Sequence, residues 1–259
     1  MAQRMDRVAA VAGAMTIAGM IATPLLPARG RGRRFLSSVV VTGMWTTTTA
    51  NAIRRWGATR AVTAGGTTAV ATGVLERVGT RTGVPFGRYA YTRALQPQIA
   101  QVPVIVPLAW FAMGLPAREA AHAALGAGST PMKRIVVGSA AMTAWDLFLD
   151  PQMVGEGYWA WARRGLYRGI PMTNFLGWFL AGLGIMVLFE RVLPVGPDTS
   201  NTPADSADVR LVGQYGYMSV MQTLGFAKYF RDPLVATVGG LAMLPLAATA
   251  TAQLARRRS

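Results

Sequence analysis

Residues 132–149, MKRIVVGSAAMTAWDLFL, turn apolar after Arg134 and then carry an aspartate, Asp146, inside the apolar run. About 20 such residues suffice to cross a bilayer as a helix. Stretches of the same kind recur along the chain: Val8–Leu26, Phe35–Ile53, Ala61–Leu75, Ile99–Leu115, Phe175–Leu193, Leu211–Phe226 and Leu234–Ala252. The expected fold is therefore all-α, a polytopic transmembrane helix bundle of seven to eight spans. Leu211–Phe226 is short, which leaves the count open. Arg4 and Arg7 ahead of the first stretch imitate a signal peptide, but no convincing small-residue cleavage site follows, so it reads as an anchor. Pro103 and Pro107 predict a kink in the fourth span. Pro151 disfavours helical geometry at Asp150 and places that residue at a helix end.

Composition points the same way. Of 259 residues, 52% are apolar and 14% charged, where a soluble domain has about a quarter charged. Mean hydropathy is +0.31. The absence of cysteine excludes a disulfide scaffold, thiol catalysis and iron–sulfur chemistry, and a lone histidine, His122, leaves no metal site to expect. His122 lies in AREAAHAALG, 117–126, which reads as a helical connector. The net charge of +15 comes from 26 Lys+Arg against 11 Asp+Glu. Its arginines stand in short clusters between apolar runs (Arg29/Arg31/Arg33/Arg34, Arg54/Arg55, Arg163/Arg164/Arg168, Arg256/Arg257/Arg258). That distribution suits lipid headgroups, and nucleic acid is not an expected partner.

The chain reads as one integral-membrane domain over 1–259, interrupted by a polar loop at 194–210 that contains VGPDTSNTPADSAD. Basic residues divide evenly between the two sets of alternate loops, so the positive-inside rule does not orient the bundle. A bacterial cytoplasmic membrane is the expected location. Runs of threonine such as Thr46–Thr49 are tolerable where hydroxyls bond back to helix carbonyls. Gly65, Gly66, Gly73, Gly138, Gly177, Gly182 and Gly184 would allow close helix packing or leave a slot.

An ionisable residue inside a span is costly and marks a functional candidate. Asp146 and Asp150, four apart, share a helix face. Two carboxylates that close in a low dielectric cannot both ionise comfortably, so one can serve as a proton donor. The competing reading pairs one or both with Arg163, Arg164 or Arg168. Glu76 stands beside Arg77 and could form an ordinary ion pair with it. The following loop, where Gly79, Gly83, Pro85, Phe86 and Gly87 specify a tight turn before Tyr89 and Tyr91, instead looks built to fit a ligand. Glu156, between Gly155 and Gly157, reads as a loop residue. Of the other acids, Asp198, Asp205 and Asp208 fall in the polar loop, and Asp6, Glu119 and Asp232 at span edges or connectors. Glu190 is expected to pair with Arg191.

Aromatic residues crowd the same stretches: Trp145, Phe148, Tyr158, Trp159, Trp161, Tyr167, Phe175 and Trp178. Some belong to an interfacial belt. Others would line a pocket for a carbocation, because an aromatic face stabilises a cation without attacking it. Neither a Walker-type loop, a GxGxxG pattern, a GxSxG elbow nor a DDxxD-type site is evident.

Four stretches carry a resemblance: ER‑VG‑‑TGVPFGRYAYT at 76–92, PLAWFAM at 107–113, TAWDLFLDPQMV at 143–154 and GYWAW‑‑‑GLYRGIPMTNFLGW at 157–178. In these the chain resembles the membrane carotenoid-biosynthesis protein family that includes carotenoid 1,2-hydratases and bisanhydrobacterioruberin hydratase. Most of 74–178, the motif-bearing core, is covered, whereas the ends before about 60 and after about 195 are similar only as apolar helices. The resemblance implies addition of water to the terminal C=C of an acyclic ψ-end group on a C40 or C50 carotenoid, without a cofactor, giving a tertiary alcohol. It implies a substrate drawn from the bilayer, and other enzymes of carotenoid synthesis as partners. Asp146, Asp150 and Glu76 are then the catalytic candidates, with acid and base roles unassigned. Tyr89, Tyr91, Phe86, Trp145, Trp159, Trp161, Asn174 and Trp178 are the substrate-binding candidates. A cyclase or isomerase would use the same acids while excluding water, and a non-catalytic carotenoid-binding scaffold would use none of them.

Overall fold

The computed structural model describes residues 2–126, 128–194 and 206–257. Among them the chain forms eight α-helices: α1 Ala2–Ala22, α2 Arg31–Trp56, α3 Ala58–Thr82, α4 Ile105–Leu125, α5 Pro131–Gly155, α6 Met172–Val192, α7 Ser206–Leu224 and α8 Pro233–Arg256. The all-α expectation holds. Four short strands, β1 Tyr89–Tyr91, β2 Gln98–Ile99, β3 Val102–Pro103 and β4 Trp159–Trp161, lie in the connections. By length and composition three segments can cross a membrane: Ala2–Leu25, Met172–Val192 and Pro233–Arg256. The other helices are interrupted by charged, hydroxyl or glycine residues. Most of the expected polar loop, with Asp198 and Asp205, lies outside the described residues.

Helix α4 is the axis of the bundle and packs against α2, α3, α5, α6, α7 and α8. Its residues from Ala109 to Ala121 are all buried, as befits a helix that is apolar around its circumference as far as Ala117, with Arg118 and Glu119 buried as a paired exception. Threonines settle as anticipated: Thr68 and Thr72 donate to the carbonyls of Ala64 and Thr68 at 2.7 and 2.8 Å. Thr48 crosses to the Ala112 carbonyl at 2.9 Å. Of the expected packing glycines, Gly138 and Gly182 are tight, because a Cβ there would fall 2.8 Å from the Met186 sulfur and 2.5 Å from Ser139 Oγ. Gly66 and Gly184 face open space.

Ion pairs show how the helices run. Asp6 near the start of α1 holds Arg54 at the end of α2 (2.9 Å) and Arg210 near the start of α7. Arg55 holds Glu119 in the second half of α4 and Asp208 in the first turn of α7. Glu190 near the end of α6 binds Arg118 of α4 (3.1 Å) and Arg134 in the first turn of α5 (3.2 Å). Helices thus alternate in direction. The opposite end of the bundle gathers the ends of α3 and α5, the starts of α4 and α6, and the strand-bearing loops.

Four sequence expectations change here. The fourth helix begins at Ile105, not Ile99, because 98–103 forms the β2–β3 hairpin with Pro103 in a strand. Pro107 occupies the first turn, where a missing N–H costs little, and the interior proline of α4 is Pro116. His122 is part of the last turn of α4 rather than a connector. Helix α5 also continues through Pro151 to Gly155, so Asp150 is inside the helix and not at its end. Proline cannot donate to the carbonyl four residues earlier, and that carbonyl, Leu147, instead accepts the Tyr167 hydroxyl at 2.9 Å. Burial pushes the Tyr167 phenol up to about 12, which keeps it a donor.

Candidate active site

The site is assembled from the ends of four helices and one two-stranded ribbon. β1 and β4 pair antiparallel with Tyr89 opposite Trp161 and Tyr91 opposite Trp159. Alternation along a strand puts these four rings on one face. Phe86 is clamped between two glycines. A Cβ on Gly79 of α3 would lie 2.9 Å from its ring, and one on Gly177 of α6 would lie 2.8 Å from it. Both helices can therefore close on the turn, which explains the glycine-rich spacing of 79–87.

Among the described residues Glu76, buried on α3, accepts three hydrogen bonds and forms no ion pair. The hydroxyls of Tyr89 and Tyr91 donate to one oxygen, the latter at 2.7 Å, and the Trp110 indole donates to the other at 3.2 Å. The expected alternative pairing with Arg77 is not formed: Arg77 donates to Gln101 at 2.7 Å. Asp146 and Asp150 are buried one turn apart on α5. The Asn174 amide at the start of α6 donates to both, at 2.7 and 2.5 Å. The Trp159 indole adds a bond to Asp150 at 2.8 Å. No arginine or lysine pairs with any of these three acids among the described residues. In particular Arg168 pairs with Asp232 at 2.7 Å. Three buried polar atoms in this region lack a partner: Asp146 Oδ1 and the indole nitrogens of Trp145 and Trp161.

A cavity of about 50 Å³ is lined in part by Glu76, Asp150 and Asn174 with Phe86, Tyr89, Tyr91, Trp110, Trp159, Trp161 and Trp178. That is room for a few water molecules or for the tip of a hydrocarbon chain. Trp110 and Trp178 are stacked at 4.0 Å between ring centroids, 11° from parallel. The Tyr89 and Trp161 centroids lie 5.0 Å apart. The arrangement supplies two carboxyl groups facing a small aromatic-walled space, suited to moving a proton and to stabilising positive charge by ring faces.

Nine of the eleven candidate residues line this cavity. Asp146 and Trp145 do not. Asp146 reaches it only through Asn174, and Trp145 packs edge-on against Trp178 with centroids 6.2 Å apart. Trp110, which holds Glu76 and stacks on Trp178, was not among the candidates, although PLAWFAM carries it. Glu156 is elsewhere: it is buried in an ion pair with Arg33 and accepts the Arg29 backbone N–H at 2.8 Å. Glu190 pairs with Arg118, His122 and Arg134, not with Arg191.

A family model described as carotenoid biosynthesis protein matches residues 35–245. The chain belongs to the carotenoid biosynthesis protein family. The matched residues extend well beyond the motif-bearing 74–178 on both sides, and all eleven candidates of this family member fall inside them. Bisanhydrobacterioruberin hydratase of Haloarcula japonica is 35% identical over 119 residues, which is 45% of this chain and 40% of that relative. This member of the family thus aligns with less than half of the relative's length. No solved structure matches the chain significantly.

Proposed function

We propose that the protein is a carotenoid hydratase, adding water across the terminal trisubstituted C=C of an acyclic ψ-end group on a C40 or C50 carotenoid. The observation that carries this reading is a cluster of three buried carboxyl groups, held among the described residues only by neutral donors, two of which face an aromatic-walled cavity. The name of the hydratase relative supports it.

In the proposed reaction the Asp146–Asp150 pair carries one proton, since two carboxyls bridged by one amide out of water repel as dianions. Asp150 delivers it, being the member that faces the cavity. A new C–H bond forms at the less substituted alkene carbon and a tertiary cation is left at the other. The ring faces of Trp110, Trp178, Tyr89 and Trp161 stabilise that cation. Water held by Glu76 forms the C–O bond and gives its proton to Glu76. The resting state returns when this proton passes back to the aspartate pair. Hydration changes no oxidation balance between substrate and enzyme, so the reaction calls for no redox cofactor. We further propose that the chain is one integral-membrane domain whose eight helices all cross a cytoplasmic membrane, and that it takes its substrate from the bilayer.

The test is expression in cells that accumulate lycopene or an acyclic C50 carotenoid, with pigments read by mass and retention. A gain of one water, formed equally without oxygen, is expected. An isomer of unchanged mass would establish a cyclase or isomerase instead. No new pigment from any ψ-end substrate would overturn the enzymatic reading.

A further inference from the structure

The acid cavity is not isolated. A second cavity, of about 390 Å³, adjoins it and shares four wall residues with it: Val41, Ile105, Leu149 and Met153. The two are neighbours across these residues, a small polar-tipped cavity and a larger, mostly apolar limb. The limb runs between α1, α2, α5 and α7. Its deep part is lined by Met44, Trp145 and Met218, all buried. Its outer part is lined by Ile21, Leu224 and Tyr229, which are 54%, 58% and 49% exposed. It therefore opens where α1 and α7 end, at the same end of the bundle as the strand-bearing loops. The mouth is also where α7 gives way to a π-helical turn, Gly225–Tyr229, an irregularity found mostly at functional sites.

We propose that this limb holds the conjugated chain of the substrate whose end group reacts in the acid cavity, with the remainder leaving through the mouth into lipid. The occupant's identity rests on the hydratase reading. Its shape and polarity rest on the cavity. An acid cavity of about 50 Å³ can take only the tip of a long molecule. The rest must continue past the shared wall, and the limb beyond it is mostly apolar, with Thr23, Ser37, Gln152 and Gln222 as its polar residues. Five methionines, Met20, Met44, Met153, Met218 and Met221, line the limb. Their flexible, polarisable thioethers conform to a rigid polyene without a polar group to desolvate. One consequence is that a single end reacts per binding event, because the other end lies outside the mouth. A substrate with two ψ-ends must leave and re-enter in reverse to react twice.

The chain has no cysteine, so single cysteines report cleanly on the limb. Leu224→Cys at the mouth, Met221→Cys one turn deeper and Val70→Cys on the exposed outer face of α3 are each placed in protein reconstituted in lipid nanodiscs. Alkylation by N-ethylmaleimide is timed with and without lycopene. Lycopene is expected to slow labelling of Leu224→Cys and Met221→Cys at least tenfold and to leave Val70→Cys unchanged. Equal labelling rates at both limb positions, whether lycopene co-purifies with the protein or not, would overturn the proposal. The same measurement in an Asp150→Asn background separates the two readings. Protection there without any hydration in the unsubstituted chain would keep the limb as a polyene site while removing the hydratase. Hydration without protection would do the reverse.

Discussion

Two groups of acids, one buried or half-buried and one buried, sit at opposite ends of the same bundle and are treated in opposite ways. At one end Glu119 and Glu190 are surrounded by cations. Arg118 bonds both, at 2.5 and 3.1 Å, and Arg55, Arg134 and His122 complete the network. At the other end Glu76, Asp146 and Asp150 meet tyrosine hydroxyls, indoles and one asparagine amide, and no cation among the described residues. A buried carboxylate needs compensation for lost water. Full ionic compensation locks the charge state and serves to fasten helix ends. Neutral donors orient the group yet leave it free to gain or lose a proton, which is the property acid–base chemistry needs. The contrast therefore separates fastening acids from reacting acids more sharply than depth in a span does.

Breaking the neutral cluster should have the largest effect on activity. Asp150→Asn is expected to lower hydration by about 10²–10⁴-fold, the usual contribution of a general acid. Helical circular dichroism and yield should stay near those of the unsubstituted chain, and pigment mass analysis is the readout. Breaking the ionic cluster should have the opposite profile. Arg118→Met leaves the buried Glu119 and the half-buried Glu190 each short of a partner and should cost about 3 kcal/mol of stability, read as a lower melting temperature in detergent. Any protein that remains folded should turn over normally. An active-site collapse in Arg118→Met, or normal activity in Asp150→Asn, would dissolve the distinction.

Smaller changes sharpen it. Gly177→Ala inserts a methyl 2.8 Å from the Phe86 ring and 3.0 Å from the Pro85 backbone. Overpacking of this kind costs about 1–3 kcal/mol, and here it should reduce activity and melting temperature together. Tyr91→Phe removes one of the three donors to Glu76 and should slow turnover about tenfold, in line with a hydrogen bond of about 1.5 kcal/mol to a charged group. Tyr167→Phe leaves the Leu147 carbonyl unpaired beside Pro151. Its expected cost is about 1 kcal/mol, visible as faster amide hydrogen exchange in the second half of α5.

Much of the site was legible because its chemistry is rare in such a chain. With 11 acids in 259 residues, each could be weighed, and Glu76, Asp146 and Asp150 stood inside apolar or turn-constrained surroundings. Pairings were not legible. Glu190 bonds arginines from α4 and α5 and not its neighbour Arg191, because sequence adjacency on a helix points side chains to different faces. Trp110 looked like one apolar residue among many in PLAWFAM. Its indole N–H matters only because α3 brings Glu76 to it. The start of α4 and the passage of α5 through Pro151 were likewise out of reach, since a hairpin and a distant hydroxyl decide them.

Hydrophobic patterning and the scarcity of charge determined by themselves that this is an all-α chain in which only a few acids stand within apolar or turn-constrained stretches. Those properties follow from local composition, which sets what each segment can bury. Tertiary structure alone decided which acids have cations and which have only neutral donors. That depends on helices distant in sequence, and in a low dielectric it is the partner, not the residue type, that settles whether a carboxyl group is a fastener or a reagent.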